Sequence, residues 1–136
     1  MTHRLTFMLS AAILLLAGCA DDGGGEGAIS GDVVRVGVLT DMSGLYSDIG
    51  GQGSVVAAQM AAEDYGGEVL GAKIDVVSAD HQNKADIAAQ RVREWIDRGG
   101  VDMVTDALNS AVALATARVV AEKKKIMFNT GAASTR

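Results

Sequence analysis

Leu16-Ala17-Gly18-Cys19 closes a hydrophobic run that begins at Leu5, and Cys19 is the only cysteine in the chain. The chemistry implied is that of a thiol nucleophile at a processing site. Small residues at Ala17 and Gly18 let a peptidase grip the backbone, and the sulfur takes up a diacylglycerol before becoming a new N-terminus. Thr2-His3-Arg4 provides the charged start, and the apolar run falls short of the roughly 20 residues a membrane-spanning helix needs. The pattern predicts a lipoprotein signal peptide over residues 1–18; the alternative is an ordinary secretory leader with a stray cysteine.

Past Cys19 the groups capable of chemistry are sparse. His81 is the one histidine left, and no potential ligand shares a helical i, i+4 face with it, so no metal site is predicted and His81 is expected to be a solvated loop residue. Gly51-Gln52-Gly53 lacks the third small residue of a dinucleotide fingerprint, since Val56 stands there, and ten residues separate Gly51 from the preceding strand pattern. No glycine-lysine-serine phosphate loop occurs either, so no nucleotide or other cofactor is implied. Asp41 and Asp80 end neighbouring strand patterns. They are read as capping loop amides, and an extracytoplasmic location argues against a phosphoacceptor pocket. Ser110 opens a helical pattern, where its hydroxyl can act as the N-cap and the first-turn amides favour an anion. Asn109 precedes it, and Ala132-Ala133-Ser134 offers bare backbone donors and acceptors with one hydroxyl. A carboxylate there would be held by dipoles without a countercharge.

These groups are positioned by alternating strand and helix patterns. Val33–Thr40 is apolar at almost every position, as in a strand covered on both faces. A helix follows over Gly50–Tyr65 with Ala57, Ala58, Met60 and Ala61 inward, then a turn near Gly71 and a strand over Lys73–Ala79. Ala85–Arg98 is amphipathic, with Ala85, Ala88, Ala89, Val92, Trp95 and Ile96 on one stripe. Val101–Thr105, Ser110–Lys124 (Ala113, Ala117, Val120 and Ala121 inward) and Ile126–Thr130 complete the series. This order predicts an α/β fold, a parallel sheet with helices on both faces, and ligands bind such sheets at the carboxyl ends of the strands. The loops at that edge are 41–49, 80–84, 106–110 and 131–136.

Residues 1–18 hold one arginine and no acid, so the 118 residues from Cys19 onward carry 11 of the 12 Lys and Arg against all 17 Asp and Glu, a formal −6. That balance argues against a nucleic-acid partner. Lys123-Lys124-Lys125 is read as the solvated last turn of a helix. Asp21 to Ala28 is glycine-rich and polar, which makes residues 19–32 a flexible tether and leaves one domain from residue 33.

At its loops the chain resembles the solute-binding proteins of ABC transporters, of the leucine/isoleucine/valine-binding type. The resemblance rests on Val36-Gly37-Val38-Leu39-Thr40-Asp41-Met42-Ser43-Gly44, Gly50-Gly51-Gln52-Gly53, Gly71-Ala72-Lys73-Ile74-Asp75-Val76-Val77 with Asp80, Asn109-Ser110, and Gly131-Ala132-Ala133-Ser134. It implies a type I periplasmic binding protein fold, two lobes around a cleft, of which residues 33–136 form the N-terminal part of the first lobe. The second lobe is missing, and a truncated or partial chain is the expectation.

The same resemblance implies that Ser110 binds a ligand carboxylate, that the main chain of Ala132 meets the head group, and that the Ser134 hydroxyl contacts it, with Asn109 and Ala133 alongside. Ile49, or Tyr46 in its place, would supply the side-chain wall. Leu45 and Gly131 stand where many members have proline, which implies looser binding loops. The implied activity is binding without catalysis: a small amino acid, amide or carboxylate is captured in the periplasm or at the cell surface by a lipid-anchored protein and handed to permease subunits. Two alternatives remain, a ligand-sensing receptor ectodomain built on the same lobe and a secreted hydrolase fragment, the latter without a downstream histidine to serve as base. The lipoprotein reading predicts that Cys19→Ser abolishes incorporation of labelled palmitate in cells; labelling that persists contradicts it.

Overall fold

A computed structural model describes residues 31–134; the leader, Cys19 and the tether up to Ser30 lie outside the described residues. Strand β1 (Val33–Thr40) is followed by α1 (Gly51–Asp64), β2 (Glu68–Val69), β3 (Ala72–Asp80), α2 (Ala85–Asp97), β4 (Met103–Asp106), α3 (Ser110–Glu122) and β5 (Ile126–Asn129). The sheet order is β2-β3-β1-β4-β5, so β1 occupies the centre. Its pairs with β3 and β4 are parallel, as is that of β4 with β5.

One strand departs from the parallel expectation. Strand β2 pairs antiparallel with β3 through Glu68–Lys73 and Val69–Ala72. Leu70 (φ 50°) and Gly71 (φ 82°) form its two-residue turn, both in the left-handed region that such a hairpin requires. A two-residue strand carries no periodicity, and only Gly71 marked the turn.

Alternation along β1 assigns the two faces. Leu39, with Val77, Ala79 and Val104 beside it, packs against Ala88, Val92, Val112, Val119 and Val120 of α2 and α3, and this is the main core. Val38 faces the other way, toward Ser54, Ala57 and Ala58 of α1. The stripe read on α2 is the packed one: Ala88 and Val92 are buried, while Asp86, Gln90, Arg93, Glu94 and Asp97 are exposed.

The inward faces of the other two helices differ from expectation. In α1 the packed positions are Gly51, Ser54, Val55, Ala58 and Ala62, whereas Ala57, Met60 and Ala61 are exposed. In α3 Val112, Thr116 and Val119 join Ala113 and Val120 inside, and Ala117 and Ala121 face out. Both helices carry small apolar residues on every side, so polarity contrast does not single out a face.

At the opposite end of the sheet from the loops of interest, charge fixes the register. Arg35 Nε bonds Asp75 Oδ2 at 2.6 Å and its guanidinium reaches Gly99 O, while Asp102 takes Arg35 N–H at 3.0 Å and Lys125 Nζ at 2.8 Å. Burial alone would raise the Asp102 carboxyl, but the bonds from Lys125 and Arg35 hold it below the usual range. The lysine run is thus only partly a solvated turn, because Lys123 also pairs with Asp97 at 2.7 Å.

Gly37 tests the main core. A Cβ there would stand 2.7 Å from Trp95 Cζ3 and 2.8 Å from Cε3, atoms of a rigid ring. Gly37→Ala is predicted to destabilise the fold by about 1–3 kcal/mol, read from chemical denaturation; an unchanged midpoint contradicts this packing.

Candidate functional site

The parallel register brings the carboxyl ends of four strands to one edge: Thr40 lies opposite Asp80, Leu39 opposite Asp106, and Asp106 opposite Asn129. Each strand there gives way to a loop, and each loop is fixed by a side chain at or next to the strand tip.

The loop after β1 is held by two carboxylates. Asp41 is fully buried and accepts the N–H groups of Gly44 (2.8 Å) and Tyr46 (3.0 Å). Asp80 accepts from Met42 N–H (3.0 Å), Gln82 N–H (2.7 Å) and the Ser43 hydroxyl (2.5 Å). The capping role read for both aspartates is therefore the one they play. A Cβ on Gly44 would fall 2.5 Å from Asp41 Oδ2, so the turn needs glycine for space. Burial acts to raise the Asp80 carboxyl, but the bonds from Ser43, Met42 and Gln82, with the nearby His81, bring it below its ordinary value.

His81 corrects the expectation of a solvated loop histidine, since it is completely buried. Its Nδ1 accepts Asn83 N–H at 3.0 Å, which places any proton of the neutral ring on Nε2. Burial lowers its pKa, against the opposing pull of Asp41, Asp80 and Asp106.

The loop between β4 and α3 turns through two left-handed residues, Asp106 (φ 82°) and Ala107 (φ 59°). The N-cap of α3 is Asn109, whose Oδ1 accepts from Ala111 N–H (2.8 Å) and Val112 N–H (3.1 Å). This corrects the assignment of the cap to Ser110, which is the first helical residue. With capping done by Asn109, the Ser110 hydroxyl is not needed for it.

Ser110, Ala132 and Ser134 line one open cavity of about 290 Å³ together with Asn129, Met127 and Leu114. The cavity combines polar groups with an apolar wall from α3 and β5, and among the described residues no Lys or Arg lines it. Ala132 gives its N–H to Asn129 Oδ1 at 2.7 Å, which leaves its carbonyl as the main-chain group available to a ligand. Ala133 is exposed and does not line the cavity, and the side-chain oxygen of Asn109 is engaged in capping.

Tyr46 and Ile49 are not brought to this cavity. Tyr46 is half-buried with its N–H on Asp41, and Ile49 is 74 % exposed in the loop after β1. The bridge between that loop and the cavity is Leu108. A Cβ on Gly50 would stand 2.5 Å from Leu108 Cδ1, and one on Gly131 would collide with Cδ2. A side chain at position 131 would therefore require Leu108 to shift. The loops expected to be looser are braced by Asp41, Asp80 and Asn129. Asn129 and Leu108 are not anticipated: a single polar residue at a strand end and a single apolar residue in a loop show no periodicity.

Comparisons with known proteins agree with this geometry. The family model described as periplasmic binding protein matches residues 33–136. No curated protein matches the chain. Among solved structures, a periplasmic binding protein from Burkholderia mallei is similar at 57% identity with a TM-score of 0.74, over 76% of this chain and 28% of that one. A branched-chain amino acid ABC transporter periplasmic ligand-binding protein from Burkholderia xenovorans is 52% identical, TM-score 0.72, over 74% and 27%. A leucine-binding protein from Thermotoga maritima is 27% identical, TM-score 0.65, over 74% and 28%. The chain thus spans less than a third of the length of these proteins.

Asp80 gives a pH test of the loop. A carboxyl whose folded pKa is lowered contributes stability above its unfolded value, and that contribution is lost as pH falls through the folded pKa. Asp80→Asn is predicted to cost about 1.5–3 kcal/mol near pH 7, the range for hydrogen bonds to a charged group. The difference from the wild type should close as pH falls below the usual carboxylate range; a difference of equal size at low and neutral pH contradicts the assignment.

Proposed function

The chain belongs to the periplasmic binding protein family, and from that premise we propose that it serves as the solute-binding component of an ABC transporter. Residues 33–136 supply the N-terminal part of its first lobe. Relatives of this kind are solute-binding proteins rather than enzymes, and the residues at the strand tips suit binding without chemistry. The ligand class we favour is a small amino acid, amide or related carboxylate.

One observation carries this reading: Ser110, at the first turn of α3, shares a cavity with Ala132 and Ser134 from the loop after β5. A carboxylate placed against Ser110 would receive its hydroxyl proton and the partial positive charge of the α3 N-terminus. The carbonyl of Ala132, whose amide is engaged, is suited to accept from an ammonium or amide N–H. Leu114, Ala117 and Met127 offer an apolar wall for the rest of the solute. The reading supports a small solute bound by dipoles and hydroxyls, closed over by a second wall in a hinged cleft, and presented to permease subunits.

The site's location follows the same reading. We take the protein to act outside the cytoplasm, anchored through Cys19, with the strand tips facing the solute.

Isothermal titration of the intact protein with L-leucine, a short aliphatic amide and 4-hydroxybenzoate tests the ligand class. At least one is expected to bind, and Ser110→Ala should weaken it about tenfold or more, as loss of a hydrogen bond to a charged group does. Thermal stability should change little, because Asn109 is the cap. Binding unaffected by Ser110→Ala, or no binding of any of the three, contradicts the proposal.

A further inference from the structure

We infer that Asn129 is the positioning residue of this site, a single carboxamide that sets the spacing between the loop presenting Ser110 and the loop presenting Ala132 and Ser134. The inference rests on the solute-binding reading for its functional meaning, and on the structure alone for its geometry.

The turn from β4 into α3 is intrinsically unfavourable. Asp106 and Ala107 are consecutive non-glycine residues in the left-handed region, each of which costs of order 1 kcal/mol or more and persists only where surrounding contacts hold it. Asn129 reaches the carbonyls of both residues: its Nδ2 donates to Ala107 O at 3.0 Å and to Asp106 O at 3.3 Å, and Asp106 O also accepts the Thr130 N–H at 3.4 Å. The Oδ1 of the same amide accepts Ala132 N–H at 2.7 Å. Thr130 adds a second tie in the same direction, its hydroxyl donating to Asp106 Oδ1 at 2.7 Å.

The chemistry of the group matches this arrangement closely. Two donors and an acceptor on one short planar fork are what asparagine offers; a carboxylate has no donors and a hydroxyl has one. Asn129 also lines the cavity itself, between Ser110 on one wall and Ala132 on the other. It therefore fixes the loops that follow the neighbouring strands β4 and β5 against one another before any solute arrives. A preorganised spacing lowers the ordering cost of binding and selects head groups of matching size.

Two near-isosteric variants separate positioning from general stability. In N129L both donors and the acceptor are lost. Backbone amide exchange should then accelerate about tenfold or more at Ala132, whose N–H loses its acceptor, and at Ala107, whose N–H is held by Leu39 O and is exposed once the released turn opens, while core amides such as Val104 and Val119 stay within about threefold, the pattern of a local opening. In N129D at neutral pH the acceptor remains, so Ala132 should keep its protection, while the carbonyls of Asp106 and Ala107 lose the Asn129 donor, the turn opens, and the Ala107 N–H loses protection as its bond to Leu39 O breaks. Protection at Ala107 should recover as pH falls and the introduced carboxyl regains a donor, a profile that a packing role would not produce. Titration of the same variants with L-leucine and 4-hydroxybenzoate should show about tenfold weaker binding of whichever solute the wild type takes.

Unchanged protection at Ala107 and Ala132 in both variants, or losses in step with the core amides, overturns the assignment. If the wild type binds neither solute, the ligand reading of the preceding section fails, while the exchange measurements still decide the role of Asn129.

Discussion

The parallel pairing of β4 with β5, which sets Asp106 opposite Asn129, is the constraint on which the site depends. Parallel register delivers both strand ends to the same edge, so the loops that follow them must share space there. The chain resolves that crowding with a left-handed turn at Asp106–Ala107 and with glycine at Gly50 and Gly131, where a Cβ would require Leu108 to shift. Everything in the cavity follows from this: α3 starts where it does because the turn is tight, and Ser110 meets Ala132 because the turn is tied to β5.

Much of this arrangement was legible before the coordinates, for identifiable reasons. Val33–Thr40 is readable as a short, nearly continuous apolar and β-branched run, and the helix from Ala85 is readable because its apolar stripe contrasts strongly with its polar face at the helical period. The alternation of strand and helix then placed the site at the carboxyl edge, and Ser110, Ala132 and Ser134 were singled out by residue type and resemblance. The helix faces of α1 and α3 were misread because alanine and valine surround both helices, so the packed side is decided by the sheet and not by the helix. The two residues of β2 were too few to show a period. His81 was expected in solvent because a lone polar residue in a loop gives no sign of burial. Asn129 was read only as part of a strand, since its role is a set of distances between segments more than twenty residues apart.

The electrostatics of the edge are those of a site that uses dipoles. Asp41, Asp80 and Asp106 are engaged by backbone amides and hydroxyls, and their charge serves to order loops. Among the described residues nothing cationic lines the cavity, so in this part of the chain an anionic head group would depend on the start of α3 and the Ser110 hydroxyl. Such a site holds its solute firmly only when water is excluded, because dipolar interactions weaken steeply in a high dielectric. This fits the membership of the family and the fact that residues 33–136 match only a portion of longer relatives, in which further chain is available to close over the solute.

The central claim is that Ser110 and the Ala132–Ser134 loop form one wall of a solute site. A crystal structure of the intact protein with a bound solute tests it most directly. The account predicts a solute carboxylate or amide oxygen about 2.7–3.1 Å from Ser110 Oγ, with its other polar group against the Ala132 carbonyl. A solute seated elsewhere, for example between α1 and the sheet beside Val38 and Ser54, with Ser110 untouched, would contradict it.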